Sequence, residues 1–262
     1  MSGQNLAALA DRLRVPISIA LLFGAWQLVY ALGVVSDRYF PSLTTIAGAF
    51  WKMLQDGTLW DAEVKTFLRA LLGLVGATVL GISLAILSDL SPTLSRGFRY
   101  MSDILQPIPP AAFVPTAIFM LGLGYKLYAF VIILAAVWPP YLNGVAALAS
   151  VAPVQQSIGR MFGLGRWGLL WQVKLPAALP EIFTGIRYAA AISLIAVIVA
   201  EMLAGRDGLG FMIFKMAFAL RTAEVFALMF LVALNGVALS GLVNLMRRRL
   251  TGWRIHMMER PQ

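Results

Sequence analysis

Few residues in this 262-residue chain could carry out covalent chemistry. The chain has no cysteine and a single histidine, His256, so it offers neither a thiolate nucleophile nor a histidine-based metal cluster. It also lacks the Gly-x-x-x-x-Gly-Lys-Ser/Thr pattern that binds nucleotide phosphates. If the chain carries out a process that requires energy, another subunit or an ion gradient must supply that energy.

The polar residues that could contact a solute lie within or beside apolar stretches. Tyr141 and Asn143 follow a pair of prolines and offer hydrogen-bonding groups to a polar solute. Glu201 lies near the end of another apolar stretch, where it could pair with Arg206 or contact the solute. Because polar and ionisable groups are costly inside a membrane, each of these three residues is a candidate for a translocation pathway.

A proline-rich run interrupts one of the apolar stretches. Each proline removes a backbone donor and clashes with the preceding helical turn, which frees carbonyl groups that hydrocarbon cannot satisfy. Broken backbone at membrane depth must therefore face protein or water. The sequence predicts that this run lines a cavity of the pathway through Pro109, Pro110, Phe113 and Pro115, and a purely structural kink is the alternative.

The composition indicates that these residues are positioned by membrane-spanning helices. The chain is 60% hydrophobic and 13% charged, whereas an ordinary soluble domain is about one-quarter charged. Charge-free stretches near 20 residues match the length that an α-helix needs to cross a bilayer. We predict an all-α polytopic protein with one membrane domain over residues 1–262. The six predicted spans are 16–36, 67–87, 104–123, 127–149, 182–203 and 225–245.

The basic residues predict how the spans are oriented. Alternate loops on one side carry 12 of the 21 lysines and arginines and those on the other side carry 7, while Arg69 and Arg187 lie in or near helix ends, from which they could snorkel to the interface. Since basic loops stay in the cytoplasm, both termini are predicted to be cytoplasmic. This orientation accounts for the net charge of +9, so we expect membrane lipid and no nucleic acid as a partner.

Small residues recur on the predicted second and fifth spans. Gly73, Ala77, Gly81 and Ala85 are spaced by four residues, and Gly185 begins a similar series. Small residues at this spacing let another helix backbone approach closely. The pattern predicts packing within the helix bundle, with a subunit interface as the alternative.

The loop over residues 150–181 is too long for a simple turn. Gln155–Phe162 can form two turns of helix, and Gly163 is a natural helix stop. Met161 and Phe162 would give this helix an apolar end, which needs either a partner groove or the bundle itself to cover it. Periodicity does not decide between these two.

The same loop resembles a known motif. Gly163, followed after nine residues by Val173-Lys174-Leu175-Pro176, is similar to the Glu-Ala-Ala loop of permease subunits in bacterial ATP-binding-cassette (ABC) importers. Downstream, Ala177–Ile182 with Gly185-Ile186-Arg187 resembles the branch that handles nitrate, bicarbonate, taurine and other sulfonates, and Gln106–Pro115 and Gly208-Leu209-Gly210 are further resemblances to the family. One departure is that Ser157-Ile158-Gly159 stands where the family has Glu-Ala-Ala, so the acidic contact cannot be transferred.

The resemblance implies a type I importer permease in the bacterial inner membrane, with a small anion as the expected solute. The chain would be a non-enzymatic permease, paired with a second copy of itself, two ABC ATPase subunits and a periplasmic or lipid-anchored solute-binding protein. No cofactor is expected on this chain, since ATP and Mg would bind the ATPase subunits. Eight residues are expected to couple the permease to the ATPase: Ser157, Ile158, Gly159, Arg160, Met161, Phe162, Gly163 and Leu164. A secondary carrier driven by an ion gradient is the alternative.

Overall fold

A computed structural model describes the backbone of residues 3–258 and the side chains of residues 16–252. His256 therefore lies outside the described side chains. The described backbone forms helices, without a strand in residues 3–258, as the sequence predicted. The α-helices in chain order are α1 (Gly3–Ala31), α2 (Leu43–Gln55), α3 (Thr58–Leu90), α4 (Pro92–Leu105), α5 (Val114–Leu121), α6 (Tyr125–Ala136), α7 (Trp138–Ala149), α8 (Pro153–Met161), α9 (Arg166–Leu169), α10 (Leu175–Ala204), α11 (Leu209–Phe218) and α12 (Thr222–Met258).

Four stretches of the described chain are long and apolar enough to cross a membrane, and each contains one predicted span. They are Thr58–Leu90, Tyr125–Ala149, Arg166–Ala204 and Thr222–Gly252. A fifth crossing is formed if the bent pair Pro92–Leu105 and Pro110–Leu121 counts as one span. The first predicted span, 16–36, overlaps the end of α1, whose described apolar part is Pro16–Ala31. The sixth crossing therefore stays a prediction.

The chain divides into two compact units. One consists of Met1–Trp60 and Met212–Leu231, and the other of Asp61–Phe211 and Val232–Gln262. The larger unit holds all of the predicted site residues, and the prediction of one membrane domain stays a prediction.

Small residues bring the helices of the larger unit into close contact. A Cβ atom added to Gly73 would overlap Ile132 of α6, and one added to Gly81 would lie 2.7 Å from the carbonyl oxygen of Val137. On α10, a Cβ atom at Gly185 would lie 2.6 Å from the carbonyl oxygen of Pro139. The predicted packing of these small residues within the bundle is confirmed.

The smaller unit is organised around an indole ring. Trp26 stacks on Phe40 with ring centroids 4.1 Å apart, and its Nε1 donates to the carbonyl oxygen of Pro41 at 3.1 Å. Directly after this proline, Ser42 caps α2 by accepting a hydrogen bond from the backbone N–H of Thr45 at 3.1 Å. These contacts fix the chain where it passes from α1 to α2.

Candidate functional site

Helix α8 is the helix that the sequence predicted in the loop over residues 150–181. Its N-terminal turn begins with a proline, where a helix tolerates the missing donor. At its other end Gly163 adopts a φ of 78°. The N–H of Gly163 bonds to the carbonyl oxygen of Arg160 at 2.9 Å, and the N–H of Leu164 bonds to that of Gly159 at 3.1 Å. This pair of bonds is the Schellman motif, which confirms the predicted helix stop.

The C-terminal end of α8 exposes apolar side chains. Met161 is 85% exposed and Phe162 83%, while Ile158 is about half-exposed. Ser157 and Arg160 are exposed beside them. A soluble surface rarely leaves adjacent large apolar side chains uncovered without a binding role. The described part of the bundle leaves Met161 and Phe162 largely uncovered.

The opposite face of α8 packs against the chain that leads into α10. Gly159 is buried there, and a Cβ atom on it would lie 2.9 Å from Cδ1 of Leu169 and 3.2 Å from Cγ2 of Val173. Leu164 lies at the same junction, within 3.4 Å of that added atom. A larger side chain at this glycine would require the ends of the Leu169 and Val173 side chains to shift.

Two further contacts hold this segment to the end of α3. Lys174 Nζ pairs with Asp89 Oδ1 at 2.5 Å, and both side chains are only 15% exposed. Arg166 donates from Nη2 to the carbonyl oxygen of Leu90 at 3.3 Å. The segment between α8 and α10 is therefore tied to a second membrane-spanning helix.

The proline-rich run forms a sharp break between α4 and α5. Pro110–Phe113 is a short 3₁₀ helix, and the helices on its two sides meet at 92°. Pro115 lies in the first turn of α5, and Pro109 is exposed just before the 3₁₀ turn. Pro110 and Phe113 line a cavity of about 20 Å³, which is roughly large enough for a single water. This cavity is too small to hold a solute such as taurine or nitrate together with its hydration shell.

Tyr141 and Asn143 are used in packing within the chain. Tyr141 is 1% exposed, and its ring meets those of Phe98 and Trp138 edge-on. Asn143 donates from Nδ2 to the carbonyl oxygen of Pro139 at 2.9 Å. Neither residue lines the cavity beside Pro110 and Phe113, so the structure does not bring these candidates together.

Glu201 lies in a buried ionic cluster. Its side chain is 0% exposed, and Oε1 accepts a hydrogen bond from Nη1 of Arg69 at 2.7 Å. Arg69 is 6% exposed and also donates from Nη2 to Asp207 Oδ1 at 2.7 Å. The guanidinium lies over the ring of Tyr128, with 4.1 Å between its central carbon and the ring centroid. These contacts compensate the buried charges, although Nε of Arg69 is buried without a hydrogen-bond partner among the described residues.

Neutral donors also form hydrogen bonds with the carboxylate of Glu201. Thr66 Oγ1 donates to Oε2 of Glu201 at 2.8 Å and accepts from the N–H of Leu209 at 2.8 Å. The N–H of Gly210 donates to Oε2 at 3.0 Å. The carboxylate thus joins α3 and α10 to the first turn of α11.

Asp207 forms the solvent-facing side of this cluster, in the turn between α10 and α11. Partial burial acts to raise the pKa of Asp207, but hydrogen bonds from Arg69 and Lys65 outweigh it and hold the pKa below its usual value. Lys65 Nζ lies 3.0 Å from Oδ2 of this aspartate. Asp207 is therefore charged at neutral pH and balances part of the positive charge of Arg69.

These contacts correct two expectations. Arg69 does not snorkel to the interface but is buried against Glu201. Glu201 does not pair with Arg206, which is exposed and forms no ion pair within residues 16–252. The sequence signal for the true partner was the position of Arg69 within an otherwise apolar predicted span, because an arginine there requires a counter-ion.

No metal site accompanies the cluster: the part of the chain with described side chains holds no group of three or more acidic, histidine or cysteine side chains that could bind a metal ion. The cluster has the character of a structural clamp. The candidate site for an external partner is the exposed end of α8.

Comparisons with known proteins agree with this architecture. The family model described as "binding-protein-dependent transport system inner membrane component" matches residues 77–252. The taurine transport system permease protein of Escherichia coli strain K12 is 31% identical over 90% of this chain and 88% of its own length. The nitrate import permease protein of Leptolyngbya laminosa is 27% identical over 91% of this chain and 88% of its own length.

A solved structure shows the same fold. A bacterial alginate ABC transporter, crystallised with a periplasmic protein that binds an alginate pentasaccharide, contains a chain that aligns with a TM-score of 0.63 at 15% identity. The alignment covers 92% of this chain and 96% of that chain. The chain therefore belongs to the binding-protein-dependent transport system inner membrane components, as a multi-pass, non-enzymatic permease subunit of an ABC importer.

Proposed function

We propose that this permease moves a small anion across the inner membrane and that α8 is the helix through which a partner ATPase drives it. The exposed apolar end of α8 is the observation that carries the proposal. An amphipathic helix of this kind binds by placing its apolar residues in a groove of the partner. The eight residues from Ser157 to Leu164 form this coupling segment.

The contacts behind α8 support a mechanical role. Its buried face rests on Leu169 and Val173, which belong to the long helical stretch Arg166–Ala204. A displacement of α8 would therefore reach a membrane-spanning helix without passing through a flexible loop. The ion pair between Lys174 and Asp89 would carry the same displacement to α3. Coupling of this type requires that the ATPase bind the two states of the permease with different affinity.

The complete importer in this proposal contains two copies of the permease, two ATPase subunits and a solute-binding protein outside the membrane. ATP and Mg bind the ATPase subunits. Both termini of the permease are cytoplasmic, on the side where α8 meets the ATPase. Pro109, Pro110, Phe113, Pro115, Tyr141 and Asn143 remain candidates for the pathway between the two copies, whereas Glu201 stabilises the helices around it.

The anionic solute is supported by the relatives, which are named for taurine and nitrate transport. The test of this substrate class is the thermal unfolding of the partner solute-binding protein with taurine, nitrate and bicarbonate. A ligand at 100 times its Kd stabilises the native state by about 2.7 kcal/mol, which gives a clear shift in Tm. No shift with any of the three anions would reject the substrate class and leave the coupling role untouched.

The coupling role is tested by removing the apolar end of α8 without disturbing its fold. In the double variant Met161→Ser/Phe162→Ser both changes lie on exposed side chains, so stability should be preserved. We expect loss of the co-purified ATPase and at least a tenfold decrease in ATP-dependent uptake by reconstituted vesicles. The matched control is Phe218→Ser, because Phe218 is 76% exposed but lies outside the segment. Retention of the ATPase by the double variant, or uptake by the chain alone on an ion gradient, would overturn the proposal.

A further inference from the structure

Two further arginines lie on α10 and α12, away from the buried cluster of Arg69 and Glu201. On α10, Thr184, Arg187 and Tyr188 occupy one face, at spacings of three and four residues. On α12, Asn244 and Arg247 follow the same spacing and face the same cavity. Polar residues have therefore been placed on two facing helix surfaces that are otherwise apolar.

Neither arginine of this cavity has a counter-ion among the described side chains. Within residues 16–252, neither Arg187 nor Arg247 donates a side-chain hydrogen bond or forms an ion pair. No carboxylate is among the described residues that line the cavity. Guanidinium groups at a membrane boundary that lack a protein partner attract anions, and their planar donor forks match the oxygens of phosphate, sulfate or sulfonate.

The surrounding hydroxyl and amide groups complete a site for such oxygens. Ser240 and Thr184 supply hydroxyl groups, and Asn244 supplies an amide. The cavity has a volume of about 440 Å³, within the range of small-molecule sites. It can accommodate an oxyanion head with a short organic group attached.

We propose that this cavity binds a small oxyanion between Arg187 and Arg247. The group bound is a tetrahedral phosphate, sulfate or sulfonate, and it has two sources: the headgroup of an anionic lipid or a free anion in solution. Arg187 lies in the N-terminal half of α10 and Arg247 in the C-terminal half of α12, and both halves are predicted to be on the cytoplasmic side. A lipid headgroup would anchor α10 to α12 there, whereas a free anion would occupy a site on the inner side of the permease.

The experiment uses the full chain in nanodiscs and separates the two sources. In nanodiscs of phosphatidylcholine alone, thermal unfolding is followed as sodium sulfate replaces sodium chloride at constant ionic strength. In a second series phosphatidylglycerol is added, and the phosphatidylglycerol retained by the chain is counted by native mass spectrometry. Each series compares the wild type with Arg187→Gln/Arg247→Gln and with the control Arg248→Gln, which removes a neighbouring charge that does not line the cavity.

We expect the half-saturating concentration of sulfate, or of phosphatidylglycerol, to increase at least tenfold in the double variant and to change little in Arg248→Gln. A response to sulfate identifies a free anion, and a response to phosphatidylglycerol alone identifies a lipid. If the double variant does not fold, Arg187→Lys/Arg247→Lys keeps the charge but loses the planar fork, and we expect at least threefold weaker binding. The proposal is overturned if the tested variant binds both probes as the wild type does, or if Arg248→Gln weakens binding equally.

Discussion

Helix α10 contributes to two sites that each contain arginine, and the arginine is paired with a carboxylate in only one of them. At Glu201 it supplies the carboxylate that neutralises the buried Arg69, and every carboxylate oxygen there has a donor. Fourteen residues earlier, roughly 21 Å along the helix axis, it supplies Arg187, which lines an open cavity beside Arg247 without an acidic partner. Arg69 is buried and paired, whereas Arg187 is exposed and has no acidic partner within residues 16–252, so an arginine within a predicted span need not be structural.

The comparison has an energetic basis. Breaking a buried ion pair costs several kcal/mol because one charge is left without compensation. An arginine that has no partner in the folded chain forms no ion pair, so its replacement removes no pairing energy. The two sites should therefore respond very differently to removal of a charge.

The largest effect is expected for Glu201→Ala. The substitution leaves Arg69 buried with only Asp207 as a counter-ion and removes the acceptor used by Thr66 and Gly210. We expect the free energy of unfolding to fall by about 3 kcal/mol, at the low end for a broken buried pair because Asp207 remains. Denaturant unfolding in detergent measures this change.

The control for Glu201→Ala is Glu224→Ala. Glu224 pairs with Arg221, whose side chain is 47% exposed, so its loss should cost no more than about 1 kcal/mol. Equal losses for the two variants would contradict the structural role of the buried cluster.

Gly208→Ala should give the next largest effect. Gly208 has a φ of 95°, and an added Cβ atom would overlap the carboxylate of Glu201. Because both backbone strain and a clash with a fixed side chain are introduced, we expect a loss of about 2 kcal/mol. Gly33→Ala separates the two causes, since Gly33 has a φ of 63° but open space around it. If both variants lose the same stability, the clash contributes nothing and the cluster is less rigid than its hydrogen bonds indicate.

The sequence predicted the helices and the position of α8 better than it predicted the partners of single side chains. Hydrophobic length and the glycine stop at Gly163 are local signals, and both correspond to what the structure shows. The partner of Glu201 is 132 residues away in the chain, so spacing favoured the nearby Arg206 instead. The cavity between α10 and α12 was missed for the same reason, because Arg187 and Arg247 come together only when two distant helices pack.

A smaller effect on stability is expected from the titration of Asp207. Its pKa is lower in the folded chain than the value of about 3.9 in an unfolded chain, so the charged form is favoured by folding. The resulting stability is complete above about pH 5 and is lost as the pH falls through the folded pKa. We expect Tm to fall more steeply below pH 5 in the wild type than in Asp207→Asn, whose profile lacks this contribution. Parallel profiles for the two proteins would contradict the pairing of Asp207 with Arg69 and Lys65.

The smallest loss of stability is expected for Arg187→Gln. This variant is the most direct test of the difference between the two sites. Since Arg187 has no hydrogen bond or ion pair within residues 16–252, its replacement by a neutral residue of similar reach removes no protein contact. We expect the free energy of unfolding in detergent without added anion to change by no more than about 0.5 kcal/mol. Anionic lipid or sulfate should then stabilise the wild type more than the variant, because a ligand of the folded state adds to stability only where its site is intact. A loss in the anion-free sample as large as that of Glu201→Ala would mean that Arg187 has a structural partner, and α10 would then carry two clamps instead of a clamp and a binding site.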